Sequence, residues 1–310
     1  MTKLESHQVS VGHIHEIEIT DLTHDGEGVG KVNGLTVFVP DAIPGDVVSA
    51  KVISTKKTYA RALIVEILTP SSDRIRTTCH VGEDCGGCQL AHMCYDAQLS
   101  WKQNHVENVL RRIGKIDVDV LPIIGMNNPY EYRNKSQFPV GVVNNELVMG
   151  FFKKRSHIIV DDVNCQIQHP LITDAARKVK QILIDLQIPP YNELEHSGIV
   201  RHVVFRVSYA ENKLMIVFVT RTKKLPNVDQ LIDQVTAAVP EVQSIAQSIN
   251  PKVTNVIFGD TTEILWGQPY LYDKIGDLNF AISPRSFFQV NPVQTKVLYD
   301  QVKQAAGLTG

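Results

Sequence analysis

Residues 25–46, DGEGVGKVNGLTVFVPDAIPGD, crowd glycine and proline around one alternating apolar run, LTVFVP. Alternation with period two places every second side chain on one face, the pattern of a half-buried strand, and the flanking glycines supply corners. The same pattern extends to either side. HIHEIEIT (13–20), DVVSAKVIS (46–54) and YARALIVEIL (59–68) alternate as well, separated by the turn-rich DLTHDGEGVGKVNG (21–34) and by DAIPGDVV (41–48). Five short strands with glycine-rich corners in residues 1–70 suit an oligonucleotide-binding (OB) type β-barrel. This block holds 6 Lys and Arg against 9 Asp and Glu. Its acidic net leaves any RNA contact to a few side chains, Lys31, Lys56, Lys57 and Arg61.

Downstream, CHVGEDCGGC (79–88) gathers Cys79, Cys85 and Cys88, and DDVNCQ (161–166) adds Cys165. A tight loop plus one distant cysteine can bring thiolates to a cubane from several directions, and Gly86 and Gly87 let the backbone fold closely around it. The spacing predicts a [4Fe-4S] ligand set of Cys79, Cys85, Cys88 and Cys165. Zinc is the alternative, although a five-residue gap followed by a two-residue gap fits its usual pairs poorly. Disulfides would need an oxidising compartment. Cys94, in HMCYDAQLSWKQ, reads as a small packed hydrophobe where a helix begins.

The chain has 310 residues, 43% hydrophobic and 21% charged, ordinary for a multidomain globular protein. MTKLESHQVS lacks the apolar core of a signal peptide and no stretch approaches a membrane span, so a cytoplasmic location and no membrane partner are expected. A net charge of −2 does not advertise nucleic-acid binding, which must rest on local clusters. In LSWKQNHVENVLRRIGKI (99–116), Leu99, Val106, Val109, Leu110 and Ile113 recur at helical spacing, with Gly114 as the expected stop.

From 125 to 282 strands dominate. KSQFPVGVVNNELVMGFF predicts a hairpin turning at Asn144 and Asn145, which tolerate positive φ, and RHVVFRVSYAENKLMIVFVT predicts another around 210–213. Amphipathic helices are expected over 171–186 and 227–239. Basic residues concentrate here: Arg133, Lys135, Lys153, Lys154 and Arg155 in 131–155, and six Lys and Arg in 201–224. Such clusters can track a phosphate backbone.

The barrel block is similar to a TRAM domain, and the whole chain resembles the bacterial 23S ribosomal RNA uracil-5-methyltransferases. DGEGVGKVNG, CGGCQLAHMCYDAQLSWKQ, EYRNKSQFPVG, MGFFKKRSHIIVDDVNCQIQ, GIVRHVVFR and ISPRSFFQVN carry that resemblance. It implies an α+β multidomain chain: a TRAM barrel at 1–70, an iron–sulfur loop at 71–94, a connecting helix at 95–124, a central β-rich RNA-binding domain at 125–282 and the start of an α/β methyltransferase domain at 283–310. It implies S-adenosylmethionine and a [4Fe-4S] cluster as cofactors, and a loop uridine of 23S RNA as the substrate of a monomer. Gln289 would line the cofactor and base pocket, Phe287 would stack on an extruded base, and Arg133, Arg201, Lys153, Lys154 and Arg155 would contact RNA.

The family pattern continues into a glycine-rich cofactor turn, a catalytic Cys and a carboxylate base that this sequence lacks. The expectation is therefore a member cut short before its cofactor strand and inactive by itself, with no catalytic residue assigned. Two rivals remain: a radical S-adenosylmethionine enzyme, disfavoured because Cys165 would close the cluster, and a non-catalytic RNA-binding iron–sulfur module.

Overall fold

The computed structural model describes residues 9–307, so the start of MTKLESHQVS and residues 308–310 of the last expected segment lie outside the described residues. The chain divides into two compact units in place of five serial segments. One ends at Gly82 and resumes over Gly87–Gly125; the other comprises Glu83–Gly86 and the chain from Met126.

The first unit is built on a closed five-stranded barrel. Its strands are β1 (Ile14–Leu22), β2 (Gly28–Val32), β3 (Leu35–Val39), β4 (Val47–Thr55) and β5 (Tyr59–Thr69), in the order β1-β2-β3-β5-β4. All pairs are antiparallel except β3 with β5. The alternation works as expected: Ile17, Val37, Val39, Val48, Ala50, Val52, Ala60 and Ala62 are fully buried. β2 is the exception, because GVGKV lies within the stretch that reads as turn. Its glycines are packing residues, since a Cβ on Gly30 would come within 2.4 Å of Ile17 Cγ2 and 2.6 Å of Glu18 O. The turn proper is Asn33-Gly34, both at positive φ, as a two-residue hairpin requires.

Asp46 closes one end of this barrel. It is fully buried, accepts the N–H groups of Ile43 (2.8 Å) and Ser71 (2.9 Å), and pairs with the Arg74 guanidinium through Nε at 3.0 Å. Burial alone would raise its pKa, but Arg74 and the two N–H groups outweigh that and hold the carboxyl below its ordinary range. Helix α1 (Tyr95–Asn108) starts at Cys94, whose neighbours Met93 and Ala97 pack with Leu22 and Ile43. A single π turn, Val109–Gly114, follows, and the left-handed stop is Lys115 (φ 55°) rather than Gly114. The apolar spacing of 99–113 does not become a core face: only Ala97 of α1 is buried, and Ile113 is 78% exposed.

The second unit centres on a six-stranded sheet. It contains β6 (Lys135–Val143), β7 (Glu146–Met149), β10 (Val200–Ser208), β11 (Lys213–Thr220), β12 (Val242–Ile249) and β13 (Thr261–Gly267), in the order β13-β12-β11-β10-β6-β7. The short hairpin β8 (Phe151–Phe152) and β9 (Ile159–Val160) follows β7. Asn144 and Asn145 take the positive φ angles that the first hairpin needs, and Asn212 does so in the second. Helices α2 (Pro170–Asp185) and α3 (Val228–Ala238) bury Ile172, Val179, Leu183, Leu231 and Val235 against one face of the sheet. β11 and β12, joined through α3, form its one parallel pair among the described residues. On the other face Val204, Met215 and Val217 meet the hairpin β14 (Leu271–Ile275) and β15 (Leu278–Ile282) through Leu271 and Ile282. Helix α4 (Pro292–Ala306) ends the described chain.

Candidate RNA-facing site

Residues 283–291, SPRSFFQVN, form an ordered rim on the second unit. Ser283 and Ser286 close a small turn through reciprocal main-chain to hydroxyl bonds of 3.0 and 3.2 Å. Arg206, buried on β10, donates from Nη2 to Ser286 O at 2.6 Å. Asn134, only 4% exposed, grips the next residues twice: its Nδ2 donates to Gln289 O (3.0 Å) and its main-chain N–H to Val290 O (2.9 Å). Asn291 then caps α4 by accepting from Gln294 N at 3.0 Å.

This clamping fixes the backbone and leaves Phe287 standing out, 83% exposed, while Phe288 turns inward against Phe280 at a ring separation of 5.6 Å. An exposed aromatic costs free energy unless something covers it, and here the backbone beneath it is pinned by buried polar groups. Gln289 keeps a part-exposed side chain beside it, since only its carbonyl is used by Asn134. The surroundings are cationic. Lys135 lies beside Arg133 and Arg206, and burial together with those two charges lowers its pKa. Burial brings that of Arg206 down to about 10, so it stays protonated at neutral pH.

The other expected RNA contacts are placed differently. Arg133 donates from Nε to Lys135 O (3.1 Å) and is part-exposed. Lys153 pairs with Asp84 (2.6 Å), the Lys154 N–H donates to Asp84 O (3.2 Å), and Arg155 turns the chain at φ 54°. Arg201 requires correction. It is 5% exposed, stacks 4.6 Å over Tyr191, and donates to the carbonyls of Asn250 (2.8 Å), Lys252 (2.6 Å) and Thr254 (3.1 Å). A guanidinium whose fork holds a loop from inside offers no face to phosphate. On the barrel Lys31, Lys56 and Lys57 are exposed, whereas Arg61 pairs with Glu27 at 2.8 Å.

The four cysteines expected to hold a cluster all lie among the described residues. Among the described residues no three Cys, His, Asp or Glu side chains come together as a metal-holding group, and all five cysteines are part-exposed thiols outside any disulfide. Cys79 and Cys88 belong to the first unit, Cys85 and Cys165 to the second. Spacing along the chain fixes which thiols can be neighbours, but not where each Sγ points. The loop does dock within the second unit: Gly86 N donates to Phe152 O (2.9 Å), and a Cβ on Gly86 would stand 3.0 Å from that oxygen.

The TRAM domain family matches residues 8–65. An uncharacterized RNA methyltransferase of Enterococcus faecalis is 42% identical over 308 residues, 99% of this chain and 67% of that protein. The chain belongs to the RNA methyltransferases that carry a TRAM domain. Another member, from Halalkalibacterium halodurans, is 50% identical over 97% of this chain and 66% of its own length. The crystal structure of Pyrococcus abyssi tRNA (uracil-54, C5)-methyltransferase with S-adenosyl-L-homocysteine superposes with a TM-score of 0.70 and 25% identity. It covers 93% of this chain and 64% of that one.

These alignments run along nearly all of this chain. The chain spans about two thirds of the length of the curated relatives it matches. Among the described residues no helix is long and apolar enough to cross a membrane.

Proposed function

We propose that this chain serves S-adenosylmethionine-dependent methylation of uridine C5 in RNA, with a loop uridine of 23S ribosomal RNA as the target. The carrying observation is Phe287, held 83% exposed on a backbone that Arg206 and Asn134 clamp. A base inside a helix cannot be attacked at its edge, so it must leave the stack at a cost of a few kcal/mol. Stacking on an aromatic face returns about 1–3 kcal/mol per base, and a backbone already pinned loses little freedom on binding. Gln289 beside it can donate to and accept from the base edge. Arg133, Lys153, Lys154 and Arg155 supply positive charge for the flanking phosphates. S-adenosylmethionine, when bound, supplies the methyl group; the residues described here bind and present the base.

The ribosomal target rests on the family resemblance, and the tRNA methyltransferase neighbour makes tRNA its competitor. Methyl transfer from labelled S-adenosylmethionine by the full-length protein to 23S hairpins and to tRNA decides between them; label on tRNA alone would end the ribosomal assignment. Phe287→Ala should weaken capture of the base by about 1–3 kcal/mol. Gln289→Ala should lower turnover with RNA affinity kept, because the amide meets the base only after extrusion. Normal turnover in both would remove SFFQVN from the site.

Cys79, Cys85, Cys88 and Cys165 stay in this reading as the ligands of a [4Fe-4S] cluster, supported by an all-thiol donor set. Anaerobically purified protein should then hold about four irons, the content of one cubane, and Cys88→Ser should bleach it while Cys94→Ser should not. Stoichiometric zinc without iron would end the cluster assignment.

A further inference from the structure

Next to the Phe287 rim lies a pair of cations held by one residue, Lys252 on the Asp260 carboxylate and Arg285 on the Asp260 main-chain oxygen. Arg285 donates from Nη1 to the main-chain oxygen of Asp260 at 3.0 Å, and Lys252 Nζ meets Asp260 Oδ2 at 2.8 Å. Lys252 and Asp260 keep side-chain exposures of 66% and 82%, so the group faces solvent. Phe287 lies two positions beyond Arg285, a reach of at most about 7 Å along the chain.

The backbone under these groups is rigid. Arg201 holds the carbonyls of Asn250, Lys252 and Thr254 from within, and Asn250 Nδ2 donates to Val256 O (2.7 Å) and Ile257 O (3.1 Å). Gly259, immediately before Asp260, lies so close to β12 that a Cβ there would stand 1.7 Å from Ile249 O. Buried groups thus fix a loop that turns Lys252 and Asp260 outward together with Val253 and Val256, and that receives Arg285 on the Asp260 carbonyl. An exposed ion pair of this kind adds little stability, so the rigid scaffold beneath it is not explained by the pair itself.

We propose that Lys252 and Arg285 form a phosphodiester seat beside Phe287, gripping the RNA backbone next to the extruded base, and that Asp260 occupies the seat until phosphate replaces its carboxylate. This rests on the RNA-methylating reading of Phe287. A phosphate oxygen takes the place of one carboxylate oxygen on Lys252 and accepts from the Arg285 fork, so the RNA brings one negative charge where the protein already prepared one. Asp260 then acts as a guard against weak anions, which must displace it. Only a ligand anchored elsewhere, by base stacking and further phosphates, does so readily.

The test is binding of a 23S loop hairpin to the full-length protein by fluorescence anisotropy over a salt series. Lys252→Gln and Arg285→Gln should each reduce the slope of log K against log salt by about 1 and lower affinity roughly 3- to 10-fold at moderate salt, the signature of one lost phosphate contact. Asp260→Asn should act in the opposite sense, tightening binding by a factor of about 2 to 5 because the competing carboxylate is gone. A purely structural cluster would give weaker binding in all three variants, and a solvated one would give no change; either result overturns the seat. Unfolding midpoints measured in parallel exclude loss of fold as the cause. Phe287→Ala separates the two readings: slope effects at Lys252 and Arg285 with no Phe287 effect on turnover would retain a phosphate site and discard the base platform.

Discussion

Asp46 in the barrel and Arg201 in the sheet are both buried charges, and they are accommodated in opposite ways. Asp46 has a full counter-charge in Arg74 and two N–H donors, so its carboxylate is better solvated inside than in water. Arg201 lies on three carbonyl dipoles and an aromatic ring, partners that orient it without matching its charge. The first arrangement locks a barrel end; the second imposes a shape on residues 250–254. A buried ion pair therefore marks where this fold is fastened, and a guanidinium on carbonyls marks where a loop is held for use.

The two units can be read separately because the chain has two tryptophans, Trp101 in α1 and Trp266 in β13, one in each. Single-tryptophan variants then report each unit in denaturation. The largest effect is expected for Asp46→Ala, which leaves the part-buried Arg74 with the Asp41 carbonyl but no counter-charge and should cost about 3–5 kcal/mol in the Trp101 signal. Equal loss in both signals would mean that the units unfold together. Arg201→Met should cost less, about 1.5–3 kcal/mol in the Trp266 signal, since hydrogen bonds from a charged donor are lost but the ring contact is kept. It should also weaken RNA binding through Lys252; stability loss without that change would break the link between the loop and its use.

Acid acts on the two regions in different pH windows. Burial, aided by Arg201, lowers the pKa of His202 to about 4, below its ordinary 6.5. The neutral form is the folded one, so stability is complete above pH 6.5 and falls towards pH 4 by about 1.4 kcal/mol per unit. The Asp46 contribution is complete above its ordinary value of 3.8 and is lost only as pH falls below that, through the lowered folded value. The Trp266 signal should thus weaken between pH 6.5 and 4 while the Trp101 signal holds, and coincident acid transitions would contradict this assignment. The smallest effect is expected for Arg61→Ala, whose pair with Glu27 is part-exposed and should be worth about 0.2–1 kcal/mol.

Much of this architecture was legible because its signals are local. Alternation gave the barrel strands, and Asn144-Asn145 gave a hairpin through its backbone preference. β2 was hidden because glycines needed for close packing look the same in sequence as glycines needed for turning. The spacing of Val106 to Ile113 promised a buried helix face that the described structure leaves largely exposed. At the rim the sequence points to Arg133 and Phe287. The clamp itself comes from Asn134 and Arg206, which lie 155 and 80 residues from the carbonyls they hold. Nothing in their spacing announces such partners, although Asn134 stands within the motif EYRNK. Arg201 was misread for a related reason: a basic residue in a strand looks available until its neighbours in space are known.

Residues 83–86 belong to the second unit although the chain on both sides of them belongs to the first. The boundary is therefore crossed three times, and no single peptide bond divides the protein into its two bodies. A piece ending at Gly125 would carry these four residues away from Phe152 and Lys154, and a piece starting at Met126 would leave the main-chain oxygen of Phe152 without the N–H of Gly86. Dissection by truncation, a routine way to assign activities to halves of an enzyme, would here compare two damaged objects, and covalent continuity through this short thread is itself part of what makes either half whole.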